Sequence, residues 1–180
     1  MIKIVDPTTK EQFTQMRRLY NRAFPKAERK PFSMLMKIQG EGMHCIEEDG
    51  KFCGLVIMML YDDIALLDYF AVSEDARNHG IGSRVLHEVI EKYKDRRFML
   101  EIESTKIDSP DREMRESRKG FYLRAGLAPE DYEVMLFGVR MEIMTYNCHI
   151  SYEDYHSMYE HILPEALSKK VKSIDTQEDK

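Results

Sequence analysis

Apolar and polar residues alternate or recur along the chain in ways that predict both strands and helices. Residues 2–5 alternate as in a short strand. A pattern with the period of a helix follows. Thr8 and Glu11 have the spacing of a capping box at the start of this helix, and Pro25 ends it. The apolar positions of this helix are Phe13, Met16, Leu19, Tyr20 and Ala23. A second, shorter helix is predicted between residues 29 and 38.

Three predicted strands come next. Residues 43–47 and 51–60 flank the dipeptide Asp49-Gly50, which is typical of a type I′ hairpin turn. Residues 64–72 are apolar at successive positions. That pattern predicts a strand covered on both faces, and therefore a central strand of its sheet.

The second half of the chain continues the mixture of strands and helices. The same patterns predict a helix over 81–93, a strand over 98–103, a helix over 112–125 capped by Gly126, strands over 134–139 and 140–146, and a helix over 151–163. Antiparallel neighbours beside strand–helix–strand connections predict an α/β (α+β) fold: a mixed, mostly antiparallel central sheet of about seven strands with helices on both faces. We expect one domain over residues 1–167, including the added C-terminal helix, and a polar, flexible tail over 168–180.

Composition and charge exclude several classes of protein. The chain has 180 residues, of which 43% are hydrophobic, and its formal net charge is −5. So much apolar sequence excludes a disordered polymer. The negative charge argues against a protein that coats nucleic acid or an anionic membrane, so we expect neither as a partner.

Cysteine usage and hydropathy point to the cytoplasm. Cys45, Cys53 and Cys148 form no Cys-x-x-Cys pair, and the histidines show no metal-ligand spacing, so we expect no disulfide framework and no metal. The longest apolar run, residues 55–61, is far shorter than the ~20 residues of a membrane-spanning helix. The first residues lack the apolar core of a signal peptide.

A glycine-spaced turn follows the central strand. Gly80 and Gly82 stand where a polar loop enters the helix predicted over 81–93, and Arg77 precedes them. Glycines let a ligand approach the backbone, and the first N–H groups of a helix attract anions, so this turn could bind phosphate. A helix that merely starts after glycines is the alternative. A dinucleotide fingerprint is excluded because Val85 takes the place of its third glycine, and no Walker A loop occurs.

A second motif, Phe121-Tyr122-Leu123-Arg124-Ala125-Gly126-Leu127, ends the helix after the next strand. With Arg77-x-x-Gly80-x-Gly82, it resembles the GNAT superfamily of acetyl-CoA-dependent N-acetyltransferases. The resemblance covers roughly residues 1–146. Arg115 departs from it, because many relatives carry asparagine at that position.

The resemblance implies a cofactor and its binding residues. Acetyl-CoA would be the acetyl donor and CoA a product. The cofactor-binding residues would be Phe70, Ala71, Val72, Arg77, Asn78, His79, Gly80, Ile81, Gly82 and Ser83. The amide of Val72 would polarise the thioester carbonyl, and Tyr122 would protonate the departing thiolate. Without the family pattern, Tyr122 would be read as a core aromatic residue.

Acetylation of an amine also requires a proton acceptor, because an alkyl amine is protonated at pH 7. Asp68 lies within the apolar central strand and could be the base or an anchor for the amine; the alternative is a buried carboxylate tied to a loop or helix end. Glu101 and Glu103 share one face of the next strand and could line an acidic acceptor pocket, or could lie at an exposed strand end.

The leading functional hypothesis is therefore an N-acetyltransferase. It would move the acetyl group to a primary amine by direct attack in a ternary complex, with Tyr122, Asp68 and Glu101 as catalytic residues. The acceptor would be a small molecule or a peptide, and a homodimer is possible. The competing hypothesis is a non-catalytic module that binds acyl-CoA on the same fold.

Overall fold

The computed structural model describes residues 1–26, 29–38, 42–76 and 80–174. Its contacts divide the chain into two compact units. The first contains Met1–Leu60 and Ala65–Lys94, and the second contains Tyr61–Ile64 and Asp95–Lys180.

In the described part of the first unit there are four strands and three α-helices. The strands follow chain order in the sheet: β1 (Ile2–Val5), β2 (Met43–Glu48), β3 (Lys51–Tyr61) and β4 (Ile64–Val72). The helices are α1 (Lys10–Ala23), α2 (Phe32–Leu35) and α3 (Ile81–Lys92). Asp49 and Gly50 have φ angles of 50° and 78°, which confirms the predicted left-handed hairpin turn between β2 and β3.

The core of this unit lies under α1. Met16 and Tyr20 of the helix are buried against Leu35 and against Tyr69 of β4. The capping box of α1 lies one residue later than predicted. Thr9 is the N-cap and exchanges hydrogen bonds with Gln12, because Gln12 can return the bond to the Thr9 backbone.

The second unit contains the other four strands and three helices. Its strands are β5 (Arg97–Glu103), β6 (Ala128–Leu136), β7 (Val139–Tyr146) and β8 (Val171–Ile174), in the sheet order β5-β7-β6-β8 with every pair antiparallel. Its helices are α4 (Arg112–Arg124), α5 (Tyr152–Ile162) and α6 (Glu165–Ser168).

The boundary predicted between the strands over 134–139 and 140–146 is wrong. The turn lies at Phe137 and Gly138, with φ angles of 51° and 89°, and β6 starts at Ala128. Charged residues at 130–133 masked the strand in the sequence. Glu133 is nonetheless fully buried, because Ser104 and Arg140 both donate hydrogen bonds to its carboxylate.

The prediction of a flexible tail from residue 168 onward is also wrong for residues 171–174. These residues form β8 and pair with β6, with Val171 opposite Leu136 and buried. The sequence obscured this strand because Lys172 and Ser173 are exposed and only Val171 is fully buried. Residues 175–180 lie outside the described residues, and the single domain over residues 1–167 stays a prediction.

The fold class is confirmed as mixed α/β with mostly antiparallel strands. There are eight described strands instead of about seven, the addition being β8. Among the described helices, none is long and apolar enough to cross a membrane.

Candidate active site

Side chains in the second half of β4, from Asp68 onward, alternate between a core face and a more open face. Tyr69 and Ala71 are buried in the core under α1, whereas Asp68, Phe70 and Val72 are only partly buried. Period-two alternation places the last three on one side of the strand. The predicted base and two of the predicted pantetheine-binding residues therefore share a face of β4.

A glycine in β3 fixes the backbone at the end of β4. A Cβ atom at Gly54 would lie 2.6 Å from the Ala71 carbonyl oxygen and 2.7 Å from Cδ1 of Ile46. The pairing of β2 with β3 shifts register between Ile46 and Glu47 at this level. Only glycine allows so close an approach, so residue 54 helps to define the course of β4 at Ala71.

The start of α3 suits an anion. Gly80 is the N-cap, has a φ of 69°, and offers no side chain to cap the helix. The first turn of α3 carries no carboxylate, whereas α1, α4 and α5 all carry one there. The first backbone N–H groups and the helix dipole therefore favour a phosphate group. This fits the CoA phosphates that the family resemblance assigns to Gly80, Ile81, Gly82 and Ser83; Arg77, Asn78 and His79 lie outside the described residues.

Asp68 is held by a lysine that the sequence analysis did not find. Lys30 Nζ lies 2.7 and 2.6 Å from the two carboxylate oxygens. The side chains of Lys30 and Asp68 are only 16% and 7% exposed. Met59 Sδ lies 3.2 Å from the same ammonium, which also stands 5.5 Å from the centre of the Tyr69 ring. This arrangement matches the alternative of a buried carboxylate tied to a loop.

The main chain of Lys30 is fixed on both sides. Its N–H donates to the Tyr69 hydroxyl at 3.1 Å, and its carbonyl accepts from the Tyr20 hydroxyl at 3.0 Å. Both tyrosines are buried, and burial is the main cause that raises the pKa of each phenol. Lys30 is thus anchored at its backbone and at its ammonium group.

Glu101 of β5 is held by two phenols. The hydroxyls of Tyr155 and Tyr159 on α5 donate to Glu101 Oε1 at 2.6 and 2.8 Å. Burial raises the pKa of Tyr155 well above its usual value, and the nearby charge of Glu101 raises it further. The Tyr155 phenol consequently remains a donor, and the hydrogen bonds from both phenols favour the ionised carboxylate.

Glu103 pairs with two arginines of α4. Arg115 and Arg118 approach its two carboxylate oxygens at 2.9 and 3.5 Å. Arg115 also donates to the carbonyl oxygen of Ser104 at 3.4 Å. Arg115 therefore ties α4 to the end of β5, and its cation and that of Arg118 offset the charge that Glu103 could offer a cationic substrate.

The end of α4 positions Tyr122. Gly126 has a φ of 90°, and the N–H of Leu127 donates to the Tyr122 carbonyl at 3.2 Å, as in a Schellman motif. Among the described residues, none hydrogen-bonds the Tyr122 hydroxyl. Burial raises the pKa of Tyr122, with the charge of Arg118 acting in the opposite direction. The phenol therefore stays protonated near neutral pH.

The predicted site residues fall in both units. Asp68, Phe70, Ala71, Val72 and the start of α3 belong to the first unit, and Glu101 and Tyr122 to the second. Sequence reasoning missed Lys30, Tyr155 and Tyr159. A charged residue inside an apolar strand did signal that Asp68 needs a partner, but nothing in the sequence names Lys30. Within the described residues, no group of three or more His, Cys, Asp or Glu side chains could hold a metal ion.

Solved structures similar to this one are acetyltransferases. A GNAT-family acetyltransferase from Bacteroides thetaiotaomicron superposes with a TM-score of 0.72 at 22% identity, over 93% of this chain and 98% of that one. The ribosomal-protein-S18-alanine N-acetyltransferase from Escherichia coli gives 0.61 at 19% identity, over 86% and 98%. Arabidopsis thaliana Naa50, in complex with the bisubstrate analogue CoA-Ac-MVNAL, gives 0.62 at 14% identity, over 82% and 99%. At these identities, the likeness establishes the fold alone.

The sequence itself carries a family signature. No curated protein matches the chain significantly. The sequence profile of the Acetyltransferase (GNAT) family, however, matches residues 13–121, which is more than half of the chain. That range includes β4, the glycine turn and most of α4. The chain therefore belongs to the GNAT acetyltransferase family.

Proposed function

We propose that this protein is an acetyl-CoA-dependent N-acetyltransferase that acetylates a primary amine by direct attack in a ternary complex. The observation that carries the proposal is the start of α3 after β4. There, Gly80 leaves the helix without a side-chain cap, and the first turn carries no carboxylate. Membership of the GNAT family supports the same reading. The free thiols of Cys45, Cys53 and Cys148 are consistent with work in the cytoplasm.

In this proposal, the first unit binds the donor. Bound acetyl-CoA supplies the acetyl group as a thioester. The backbone from Gly80 to Ser83 holds the pyrophosphate, and the backbone from Phe70 to Val72 pairs with the pantetheine arm. The amide of Val72 is the proposed hydrogen-bond donor to the reacting carbonyl, where negative charge develops.

Glu101 and Tyr122 are the residues that we assign to proton transfer. We assign Glu101 as the acceptor of the amine proton, through water, because two phenols orient its carboxylate. Asp68 is the second candidate, since Lys30 already pairs with it. Tyr122 protonates the departing thiolate, and its raised pKa supports that role because the phenol keeps its proton.

The acceptor class in this proposal is a primary amine, either small or at the start of a peptide. The names of two similar structures, an alanine N-acetyltransferase and a complex with a peptide–CoA conjugate, make peptide amines a reasonable part of any screen. Small alkyl amines form the other part.

The first test is calorimetric titration with acetyl-CoA, with NAD and ATP as control ligands. We expect selective acetyl-CoA binding that weakens at least tenfold in Gly82→Leu, because the side chain would crowd the first turn of α3. His87→Leu places the same leucine side chain at an exposed position of the same helix and should bind normally. Failure of the folded protein to bind acetyl-CoA would refute the proposal.

The second test separates an enzyme from a binding module. An enzyme releases free CoA at a rate that depends on an added amine. Tyr122→Phe should lower that rate ~100-fold, a typical effect of losing a general acid, and leave acetyl-CoA affinity within twofold. Unchanged turnover would remove Tyr122 from the mechanism. Tight acetyl-CoA binding without release for any amine would favour the non-catalytic module.

A further inference from the structure

Charged side chains take the place of a fully buried apolar stripe on α4. All thirteen residues of this helix are described, and none is fully buried, whereas α3 buries five residues and α5 buries three. A helix of a globular protein usually packs an apolar stripe against its core. The orientation of α4 therefore depends largely on the contacts of its charged residues.

Lys119 of α4 forms a closed network with β7 and with the loop after β5. Its Nζ pairs with Glu142 Oε2, and the Glu142 side chain is only 2% exposed. Thr105 donates to Glu142 Oε1 from its backbone N–H at 2.8 Å and from its hydroxyl at 2.7 Å. The Thr105 hydroxyl oxygen also accepts a hydrogen bond from Lys119 Nζ at 3.2 Å. Each of the three residues contacts the other two, which leaves the ammonium little freedom to move.

Tyr122 lies on the same face of α4 as Lys119. Arg115, Lys119 and Tyr122 stand four and then three residues apart, which is the spacing of one helical face. Arg115 pairs with Glu103, at the end of β5, at a distance of 2.9 Å. Two ion pairs along this face fix the rotation of α4 about its axis, and any rotation of the helix moves the Tyr122 hydroxyl.

An ion pair with hydrogen bonds specifies an orientation more sharply than apolar contacts do. Apolar contacts are not directional, so a helix that is held by them alone can rotate slightly at little cost. Glu142 is buried, and any displacement of Lys119 leaves its charge without a partner, which is strongly unfavourable. The network of Lys119 therefore restricts the rotation of α4.

We infer that Lys119 is a positioning residue for Tyr122: its ion pair with Glu142 holds α4 at the rotation that presents the phenol to the departing thiolate. This inference rests on the proposed function, in which Tyr122 protonates that thiolate. Lys119 itself takes no part in the proton transfer.

The main experiment compares Lys119→Met with Arg112→Met in the full chain. Methionine has about the length of lysine but carries no charge. Arg112 is a matched control, because its ion pair with Glu116 on the same helix is exposed at both side chains. Lys119→Met should lower kcat for amine-dependent CoA release about tenfold, since a small misplacement of a catalytic group is costly. The KM for the amine and the acetyl-CoA affinity should stay within twofold, and Arg112→Met should change none of the three.

A double-mutant cycle tests whether the effect acts through Tyr122. In Tyr122→Phe the phenolic proton donor is absent, so adding Lys119→Met should change turnover less than twofold. A general loosening of the fold would lower turnover by the same factor with and without the Tyr122 hydroxyl, and that outcome would overturn the inference.

Stability gives a second way to separate positioning from folding. Combining Lys119→Met with Glu142→Leu removes both charges and should recover part of the stability that Lys119→Met loses in a urea titration. Turnover should stay low in the folded double variant, because apolar side chains do not restore the rotation of α4. Recovery of turnover together with stability would overturn the inference.

Nuclear magnetic resonance follows Tyr122 without any substrate. In protein labelled with carbon-13 tyrosine, the Tyr122 ring signal is assigned by its loss in Tyr122→Phe. It should shift or broaden in Lys119→Met and stay unchanged in Arg112→Met. An unaltered signal in Lys119→Met would overturn the inference and leave the proposed function standing. Absence of CoA release with every amine would instead remove the proposed function, and the inference with it, so the two failures are distinguishable.

Discussion

Asp68 and Glu101 are both candidates for the general base, and the structure surrounds them differently. Asp68 of β4 meets the ammonium of Lys30, with both side chains largely buried. Glu101 of β5 meets two neutral donors, the hydroxyls of Tyr155 and Tyr159. An opposite charge holds Asp68, and the dipoles of two hydroxyl groups contribute to holding Glu101.

The two arrangements show that orienting a carboxylate and offsetting its charge are different effects. A cation at 2.6 Å offsets the charge that an incoming amine would otherwise sense. A phenol restricts the orientation of the carboxylate and stabilises its ionised form, but adds no charge. Lys30 therefore offsets the charge of Asp68, whereas the two phenols orient Glu101.

Removing the cation should have the largest effect on stability. Lys30→Met leaves Asp68 buried without its partner, which should lower the free energy of unfolding by about 3–5 kcal/mol in a urea titration. The double variant Lys30→Met, Asp68→Leu should recover most of that loss, because no buried charge remains. Lys169→Met removes an exposed ion pair and should stay within about 0.5 kcal/mol of the parent protein. A loss in Lys30→Met no greater than in Lys169→Met would contradict the buried pair.

Turnover with an added amine should rank the two carboxylates. Glu101→Gln should lower the rate of CoA release ~100-fold, about 2.7 kcal/mol in activation free energy, whereas Asp68→Asn should lower it less than tenfold. Acetyl-CoA affinity should stay within twofold in both variants. The reverse ranking would make Asp68 the base for external amines.

Removing one phenol should have a smaller effect on stability. Tyr155→Phe should cost about 1.5–3 kcal/mol, the usual range for a hydrogen bond to a charged group, and Tyr159→Phe a similar amount. The two losses should not add, because both hydroxyls bind the same oxygen of Glu101. Additive losses in urea titrations would show that the phenols act independently.

The Tyr155 phenol should also affect the stability of the protein at high pH. The raised pKa of Tyr155 means that the folded state keeps a proton that the unfolded state loses near pH 10. The associated stability is complete below that pH and declines as pH rises above it. The free energy of unfolding of Tyr155→Phe should therefore decline less between pH 9 and 11 than that of the parent protein. An equal decline would exclude Tyr155 as a cause of the pH dependence.

Glu133 and Glu142 combine the two arrangements, because a cation and a hydroxyl group both bind each carboxylate. Ser104 and Arg140 bind Glu133, and Thr105 and Lys119 bind Glu142. These contacts lower the pKa of both carboxyls despite their burial. Their contribution to stability is present above the ordinary glutamate pKa of about 4.3 and is lost as pH falls through the lower folded values. Glu142→Gln should lose part of this acid sensitivity in unfolding curves from pH 6 to 3; identical pH profiles would exclude Glu142 as its source.

Periodic features of the fold could be predicted from the sequence, and pairwise contacts could not. The bounds of β4 and the start of α3 follow from an apolar run and a glycine turn, which are local signals. The hairpin at Phe137-Gly138 was missed because its first turn residue is bulky, although it adopts the left-handed conformation that usually favours asparagine or glycine.

The candidate site shows the same limit. The glycine turn and Tyr122 stand out in the sequence, because their spacing is short and recurs in the family. Lys30 is 38 residues from Asp68, and Tyr155 is 54 residues from Glu101. Such contacts form between segments that are far apart in the sequence. The periods of two and 3.6 residues describe only local structure, so they do not predict these contacts.

The C-terminal cap of α4 makes the backbone amide of Leu127 a local probe of order around Tyr122. The N–H of Leu127 is bonded to the carbonyl of Tyr122, and the Leu127 side chain is buried. Its hydrogen can exchange with heavy water only when this last turn opens. The exchange rate of a single resonance therefore reports how often the tyrosine leaves its position, and it can be followed before any substrate is identified.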